Sequence, residues 1–237
     1  MNAMIFAAGL GTRFKPWTDS HPKALAVVNG KTLLERNLRY LQQYGIREVI
    51  VNIHHFADQI VEAVRENKGW GSSVSFSREI PEVLETGGGL KKAGWYFDKD
   101  PFVVMNVDIL TDLDLGLMKA FHEQHRPLAT LATTTRKTSR YLLFDDLDEL
   151  CGWKNVDTGE VKISRQKSSL VERAFSGIHI IDPRIFTLLR QNGKFSIIDS
   201  YLDLAQSETI KGFDHSRSRL IDVGRPESLI EAELLFP

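Results

Sequence analysis

The sequence lacks the features of a secreted, membrane-embedded or polyanion-binding protein. Its 237 residues contain a single cysteine, so no internal disulfide can form, which is typical of a reducing compartment. No apolar run approaches the roughly 18 residues of a membrane helix, and the N-terminus lacks a signal peptide's long apolar stretch. The formal net charge is only -1, which argues against an overall field for nucleic acid or anionic membranes. These absences predict a cytoplasmic protein that binds neither nucleic acid nor membranes.

Apolar strand-like runs alternate with helix-period segments along most of the chain. Residues 3–8 predict a first strand, and Thr32 followed by Glu35 forms a capping-box sequence that opens a helix ending at Gly45. The alternation continues to residue 135 and resumes at residue 174, which is the pattern of βαβ units. We therefore expect an α/β fold with a Rossmann-like, mixed, mostly parallel sheet flanked by helices.

Residues 141–172 interrupt this alternation. Short strand-like runs there are joined by an Asp157-Thr158-Gly159 turn, which is typical of a hairpin. No linker or low-complexity tract divides the chain, so we expect one domain over residues 1–237 with a small, irregular β excursion. The last predicted helix, from Pro226, has apolar residues that pack either on the core or on a second subunit, so both a monomer and a homodimer stay open.

A glycine turn and two cations follow the first predicted strand. Gly9 and Gly11 form the turn, and Thr12, Arg13 and Lys23 come behind it. A dinucleotide fingerprint is not met, because phenylalanine and proline stand where a third glycine should open a helix. Backbone amides of such a turn, with an arginine and a lysine, favour a pocket for several phosphate groups. The alternative is a solvated loop with scattered cations.

Longer motifs around this turn resemble the signature of the sugar-1-phosphate nucleotidylyltransferases. The matching segments, in chain order, are residues 7–18 (AAGLGTRFKPWT), 21–25 (HPKAL), 28–35 (VNGKTLLE), 85–89 (ETGGG), 107–108 (VD), 176–178 (SGI) and 222–227 (DVGRPE). The resemblance spans nearly the whole chain and implies a nucleotide-diphospho-sugar transferase fold. Within the family, the pattern is most similar to short N-acetylmuramate-1-phosphate uridylyltransferases and to heptose- or mannose-1-phosphate guanylyltransferases.

The resemblance implies a reaction between two anions. An ionised oxygen of a sugar 1-phosphate attacks the α-phosphorus of a nucleoside triphosphate (NTP) in line, giving the nucleotide sugar and pyrophosphate without a covalent intermediate. Such a nucleophile needs no general base, and the main requirement is preorganised positive charge. The implied catalytic groups are Arg13 for the leaving pyrophosphate and Lys23 for the α-phosphate or the sugar phosphate.

Two aspartates are the implied metal ligands. Asp108 and Asp222 each follow a predicted strand, and ligands of open α/β sheets bind at strand carboxyl ends. Two carboxylates can hold an octahedral Mg²⁺ that phosphate oxygens and waters complete, so Mg²⁺ is the implied cofactor. The alternative for each residue is a turn aspartate that accepts hydrogen bonds from local backbone amides.

The remaining implied contacts fall on the nucleotide and on the sugar. The nucleotide contacts are Ala8, Gly9, Gly11, Thr12, Arg13, Glu85, Thr86 and Gly87. The substrate contacts are Lys23, Gly88, Asn106, Glu172 and Gly177. Glu85 stands where many relatives have glycine, so the loop does not identify the base. For Glu172 the alternative is a solvated glutamate.

Three other functions stay open at this point. A phosphocholine cytidylyltransferase-like enzyme would share the same motifs. A glycosyltransferase would use an Asp-x-Asp metal motif, for which Asp112 and Asp114 have the spacing, but it would leave Arg13 without a role. A catalytically inactive module would keep the pocket and bind nucleotide without turnover.

Overall fold

The computed structural model describes all residues from Met1 to Pro237. The helices are α1 (Leu33–Gln43), α2 (Ala57–Glu66), α3 (Glu85–Lys92), α4 (Leu115–His125), α5 (Ile185–Leu188), α6 (Ile197–Leu204) and α7 (Ser228–Leu235). The strands are β1 (Ala3–Phe6), β2 (Val27–Val28), β3 (Lys31–Thr32), β4 (Glu48–Ile53), β5 (Ser73–Arg78), β6 (Phe102–Asn106), β7 (Ile109–Thr111), β8 (Ala129–Thr134), β9 (Arg140–Phe144), β10 (Leu150–Asn155), β11 (Val161–Ile163), β12 (Val171–Ile181), β13 (Ile210–Asp214) and β14 (Leu220–Asp222).

Ten of the strands form one mixed sheet. Strands β6, β1, β4 and β5 are parallel neighbours in that order, and β8 pairs with β13 in parallel as well. The long strand β12 runs antiparallel to β6 and β8 and joins these two parts. Hydrophobic clusters cover both faces of the sheet, one including residues of α1 and α2 and the other residues of α3 and α6. The predicted mixed, mostly parallel sheet flanked by helices is confirmed.

The register of the parallel strands brings their carboxyl ends to one edge. Phe6, the last residue of β1, pairs with Asn52 of β4 and with Asn106 of β6. The loops that follow these strands therefore begin side by side. A separate two-stranded ribbon, β7 with β14, pairs Ile109 with Asp222 and brings a distant part of the chain to the same edge.

The excursion at residues 141–172 is more regular than expected. Strands β9, β10 and β11 form an antiparallel meander, and β9 pairs with the first residues of β12, so the main sheet continues into the excursion. The predicted turn lies between β10 and β11, where Gly159 has a φ of 74°. The backbone amide of Asp157 donates to Asn155 Oδ1 at 3.0 Å. The strands on either side of this turn pair as a hairpin, and the excursion keeps one irregularity, a register shift between Leu150 and Gly152.

The helix ends show where local sequence rules hold. Thr32 Oγ1 accepts from the amide of Glu35 at 3.1 Å, which confirms the N-cap. The Glu35 carboxylate pairs with Arg39 at 2.8 Å instead of closing the capping box. On α7, Leu229 and Leu235 pack against the core, whereas Ile230 and Leu234 are exposed. The choice between a monomer and a homodimer stays a prediction.

None of the helices combines the length and apolarity needed to span a bilayer.

Candidate active site

A cavity of about 330 Å³ opens at the carboxyl ends of β1, β4, β5 and β6. Most of the site residues predicted from the sequence line it, although they come from distant parts of the chain. These lining residues are Ala8, Gly9, Gly11, Thr12, Arg13, Lys23, Glu85, Thr86, Asn106 and Asp108. The size of the cavity suits a nucleotide-sized ligand.

The signature loop, residues 7–18, is held from behind by one aromatic side chain. Phe14 is buried, and its amide donates to Gly11 O at 2.8 Å. Gly11 has a φ of 61°, and a Cβ there would lie 2.7 Å from Thr18 Cγ2. Because the turn is anchored by Phe14 and Thr18, the neighbouring Arg13 is left at the cavity wall, where it makes no ion pair within the protein.

Three charged side chains line one side of the cavity, and a fourth, Asp222, lies beside them without lining the cavity itself. Lys23 Nζ lies 2.5 Å from Asp108 Oδ2, and both side chains are mostly enclosed, with 11% and 22% exposed. The amide of Val223 donates to Asp108 O at 2.8 Å, which brings Asp222 beside Asp108. A Cβ on Gly224 would lie 3.0 Å from Asp222 Oδ1 and 3.4 Å from Arg13 Nη2, so both side chains flank this glycine.

The two aspartates differ in how their charge is balanced. Asp108 is neutralised by Lys23, whereas Asp222 makes no hydrogen bond or ion pair within the protein. The pKa of Asp222 is raised above its ordinary value, first because neighbouring atoms remove it from water and next because of the negative charge of Asp108. Lys23 and Arg13 oppose that rise. A carboxylate that is partly removed from water, lies near a second negative charge and has no partner favours the binding of an additional cation.

The glycine-rich start of α3 differs from the sequence-based expectation. Glu85 has a φ of 59°, a left-handed conformation that glycine adopts more readily than glutamate. Gly87 and Gly88 do not line the cavity, because their amides donate to Phe195 O at 2.9 and 3.3 Å. A Cβ on Gly87 would lie 2.4 Å from the Phe195 ring, and one on Gly88 would lie 2.1 Å from Gly193 O. Both glycines serve close packing, and their contacts with a ligand stay a prediction.

This packing predicts a stability effect of Gly88→Ala. The added methyl group would overlap Gly193 O, a backbone atom that cannot turn away, so we expect a loss of about 2–3 kcal/mol in the free energy of unfolding. Gly9→Ala is the matched control, because no atom lies within 4 Å of its added Cβ. Urea denaturation of both variants measures the difference. Equal stability of the two would contradict the packing role.

Two predicted sugar contacts lie elsewhere than expected. Gly177 has a φ of 73° at an irregularity of β12, and a Cβ there would lie 2.7 Å from Asn106 Nδ2, so this glycine makes room for Asn106. Glu172 lies near the other end of β12, where its carboxylate pairs with Lys154 at 2.6 Å. Because β12 extends outward to pair with β9, Glu172 is carried away from the cavity. The contact between Glu172 and the sugar stays a prediction, and its carboxylate already has a partner within the protein.

Two buried polar residues of the cavity wall were missed in the sequence. Asn52 near the end of β4 is 2% exposed, and Glu79, directly after β5, is 1% exposed. Asn52 interrupts the apolar run of β4. Because buried polar groups need hydrogen-bond partners, an amide side chain within a buried strand could have indicated a structural or functional role. Glu79 had no such signal, since the sequence does not show that it is buried.

Comparison with known proteins shows which sequences this chain is similar to. The sequence model described as nucleotidyl transferase matches residues 2–145. An N-acetylmuramate alpha-1-phosphate uridylyltransferase of Caulobacter vibrioides is 31% identical over 98% of this chain and 95% of its own length. A mannose-1-phosphate guanyltransferase of Yarrowia lipolytica is 27% identical over 100% of this chain and 64% of its own length.

A solved structure extends the agreement to three dimensions. HddC from Yersinia pseudotuberculosis, crystallised in complex with GMP-PN, is 26% identical with a TM-score of 0.77, covering 100% of this chain and 99% of that one. The sugar-1-phosphate nucleotidylyltransferase motifs read from the sequence agree with the names of the relatives. The chain therefore belongs to the nucleotidyl transferase family.

Proposed function

We propose that this protein transfers a nucleotidyl group from an NTP to a sugar 1-phosphate, giving a nucleotide sugar and pyrophosphate. The observation that carries the proposal is that Arg13, Lys23 and Asp108 line one cavity beside a glycine turn. Asp222 lies next to them, beside Gly224 of the same cavity wall. Two anions must approach each other in this reaction, and the charges that this requires are in place before the substrates bind.

The cationic side chains have separate tasks in the proposed reaction. Arg13 lies on the signature loop without an internal partner, so its guanidinium is free to bind two phosphate oxygens and to stabilise the charge on the leaving pyrophosphate. Lys23 also lines the cavity and binds the α-phosphate or the incoming sugar phosphate. Because Lys23 also contacts Asp108, it stays fixed at the cavity wall.

Asp108 and Asp222 are the residues proposed to hold Mg²⁺. Their donor set fits this ion, because it consists of carboxylate oxygens and one carboxylate has no partner within the protein. No group of three or more histidine, cysteine, aspartate or glutamate side chains is placed to hold a metal, so phosphate oxygens and waters would complete the ligand set. When bound, the ion supplies positive charge against the phosphate oxygens.

The structure weakens the glycosyltransferase alternative. Asp112 pairs with Arg219 at 2.7 Å, and Asp114 Oδ1 caps α4 by accepting from the amide of Gly116 at 2.8 Å. Both aspartates thus have structural partners within the protein, whereas the Asp222 carboxylate has none. An inactive binding module is disfavoured because all four charged residues of the site are present.

The named relatives suggest which substrates to test first. The name of the Caulobacter relative suggests UTP with N-acetylmuramate α-1-phosphate, and the name of the Yarrowia relative suggests GTP with mannose 1-phosphate. CTP with phosphocholine tests the cytidylyltransferase alternative. The base and sugar are chosen by pocket shape and a few hydrogen bonds, so a full matrix is needed.

The experiment measures pyrophosphate release with Mg²⁺ for each NTP against each phosphorylated acceptor. We expect release with one or a few pairs, complete dependence on the acceptor, and loss of release in the presence of EDTA. Nucleotide binding without release for any pair would contradict the proposed transfer and favour a binding module. Transfer of sugar from a nucleotide sugar, with no pyrophosphate from any NTP, would favour a glycosyltransferase.

A further inference from the structure

Two loops of the cavity are connected through the protein interior. The signature loop leaves β1, and a second loop, residues 79–84, leaves β5 and leads into α3. Strand β4 lies between β1 and β5, and it carries Asn52. Asn52 and Glu79 are almost fully buried, and Glu79 has no cationic partner. A buried carboxylate without a counter-ion depends on hydrogen bonds to the charged form.

Three hydrogen bonds join the two loops in series. The amide of Ala7 donates to Asn52 Oδ1 at 2.7 Å. Asn52 Nδ2 donates to Glu79 Oε1 at 2.6 Å, and the amide of Leu84 donates to Glu79 Oε2 at 2.7 Å. Gly89, the third glycine of the ETGGG segment, leaves space for these hydrogen bonds, because a Cβ at this position would lie 2.5 Å from Glu79 Oε1.

Each end of this series of hydrogen bonds lies next to residues of the proposed nucleotide site. Ala7 comes directly before the glycine turn, and Leu84 comes directly before Glu85 and Thr86. We propose that Asn52 and Glu79 are positioning residues that set the distance between the two loops, and so the fit of the nucleotide between them. This inference rests on the proposed function, since it concerns the same cavity.

Exchanging the donor and the acceptor tests the proposal. Glu79→Gln alone places an amide NH₂ against one of the two N–H donors, and Asn52→Asp alone places two carboxylates together. In the double variant Asn52→Asp/Glu79→Gln, the new aspartate accepts from Ala7 and from the new glutamine, whose oxygen accepts from Leu84. All three hydrogen bonds are restored at an unchanged net charge, and only the bond between positions 52 and 79 has its donor and acceptor exchanged, as in a double-mutant cycle with rescue.

The first readout is hydrogen exchange of the Leu84 amide in the protein without nucleotide. We expect about tenfold faster exchange in each single variant and recovery in the double variant, because the buried hydrogen bond between positions 52 and 79, which holds Glu79 in place for the Leu84 amide, is lost and then regained. The second readout is the dissociation constant, measured without an acceptor. UTP and GTP should each bind about tenfold more weakly to Glu79→Gln and recover in the double variant. Binding of inorganic tripolyphosphate, the probe for the glycine turn alone, should not change.

Glu82→Gln is the matched control, because Glu82 lies exposed on the same loop and carries the same charge. It should change neither readout. Unchanged exchange at Leu84 in the single variants would overturn the inference. Failure of the double variant to recover, with a changed preference between UTP and GTP, would instead show that Glu79 contacts the base directly. A wild-type protein that bound no NTP would contradict the proposed function, while the exchange experiment would still test the link between the loops.

Discussion

Arg13→Ala should lower kcat/KM for pyrophosphate release by about 10²–10³-fold, the range found when a preorganised transition-state contact is removed. Arg13 makes no ion pair within the protein, so its charge is not used to stabilise the fold. Its side chain lies at the cavity wall, on a turn that the buried Phe14 anchors. The loss should therefore appear in catalysis with little change in Tm. Steady-state kinetics and thermal unfolding of the same preparation measure both quantities.

Lys15→Ala is the control for this prediction. Lys15 is also a cation of the signature loop, but it pairs with Asp19 at 3.0 Å on the surface and does not line the cavity. Its removal should change kcat/KM by less than about threefold, since surface ion pairs contribute little and solvent screens a charge outside the cavity. If the two variants lost the same activity, the loss would reflect the total positive charge of the loop, and the assigned role of Arg13 would be wrong.

The sequence was sufficient for most of the fold because local and tertiary signals agree in the parallel half. The apolar runs of β1, β4 and β6 are buried on both faces, so they read as continuous hydrophobic segments. The excursion was harder, because its strands are short and its regularity comes from pairing β9 with β12. Such pairing depends on segments distant in the chain, which no local pattern reveals.

In the candidate site, too, the sequence predicted some residues well and others poorly. The signature loop and both aspartates could be placed because motifs follow strand ends, and strand ends converge at one edge of a parallel sheet. Gly87 and Gly88 were assigned to ligand contact, whereas the constraint on them is the close approach of residues 193–195. For Glu172, a spacing along the chain did not show that its carboxylate pairs with Lys154 on a strand that extends away from the cavity. Function and packing both demand glycine, so the residue type alone cannot distinguish them.

Asp222→Asn should lower kcat/KM by about 100-fold, because it removes the carboxylate that has no partner within the protein and is proposed to hold Mg²⁺. Mn²⁺ titration in the presence of nucleotide, followed by electron paramagnetic resonance, would measure the expected loss of metal affinity directly. Asp112→Asn is the control, because Asp112 pairs with Arg219 outside the cavity. Unchanged Mn²⁺ affinity in Asp222→Asn would contradict the proposed ligand role.

The same variant should be more stable than the wild type at neutral pH. The pKa of Asp222 is raised in the folded protein, mainly by its removal from water and by Asp108, so ionisation costs more in the folded than in the unfolded chain. Stability is therefore lost as pH rises through the folded-state pKa, and below the unfolded-state value of about 3.9 this cost is absent. Asparagine cannot ionise, so Tm should rise by about 1–2 °C at pH 7.5 for a carboxylate still open to solvent, and the difference should vanish at pH 3.5. Thermal unfolding at both values of pH measures this difference in Tm, and a lower Tm of the variant at pH 7.5 would show that the Asp222 charge stabilises the fold.

A loss of activity accompanied by a gain in stability is the result expected of a carboxylate that is kept for binding a cation.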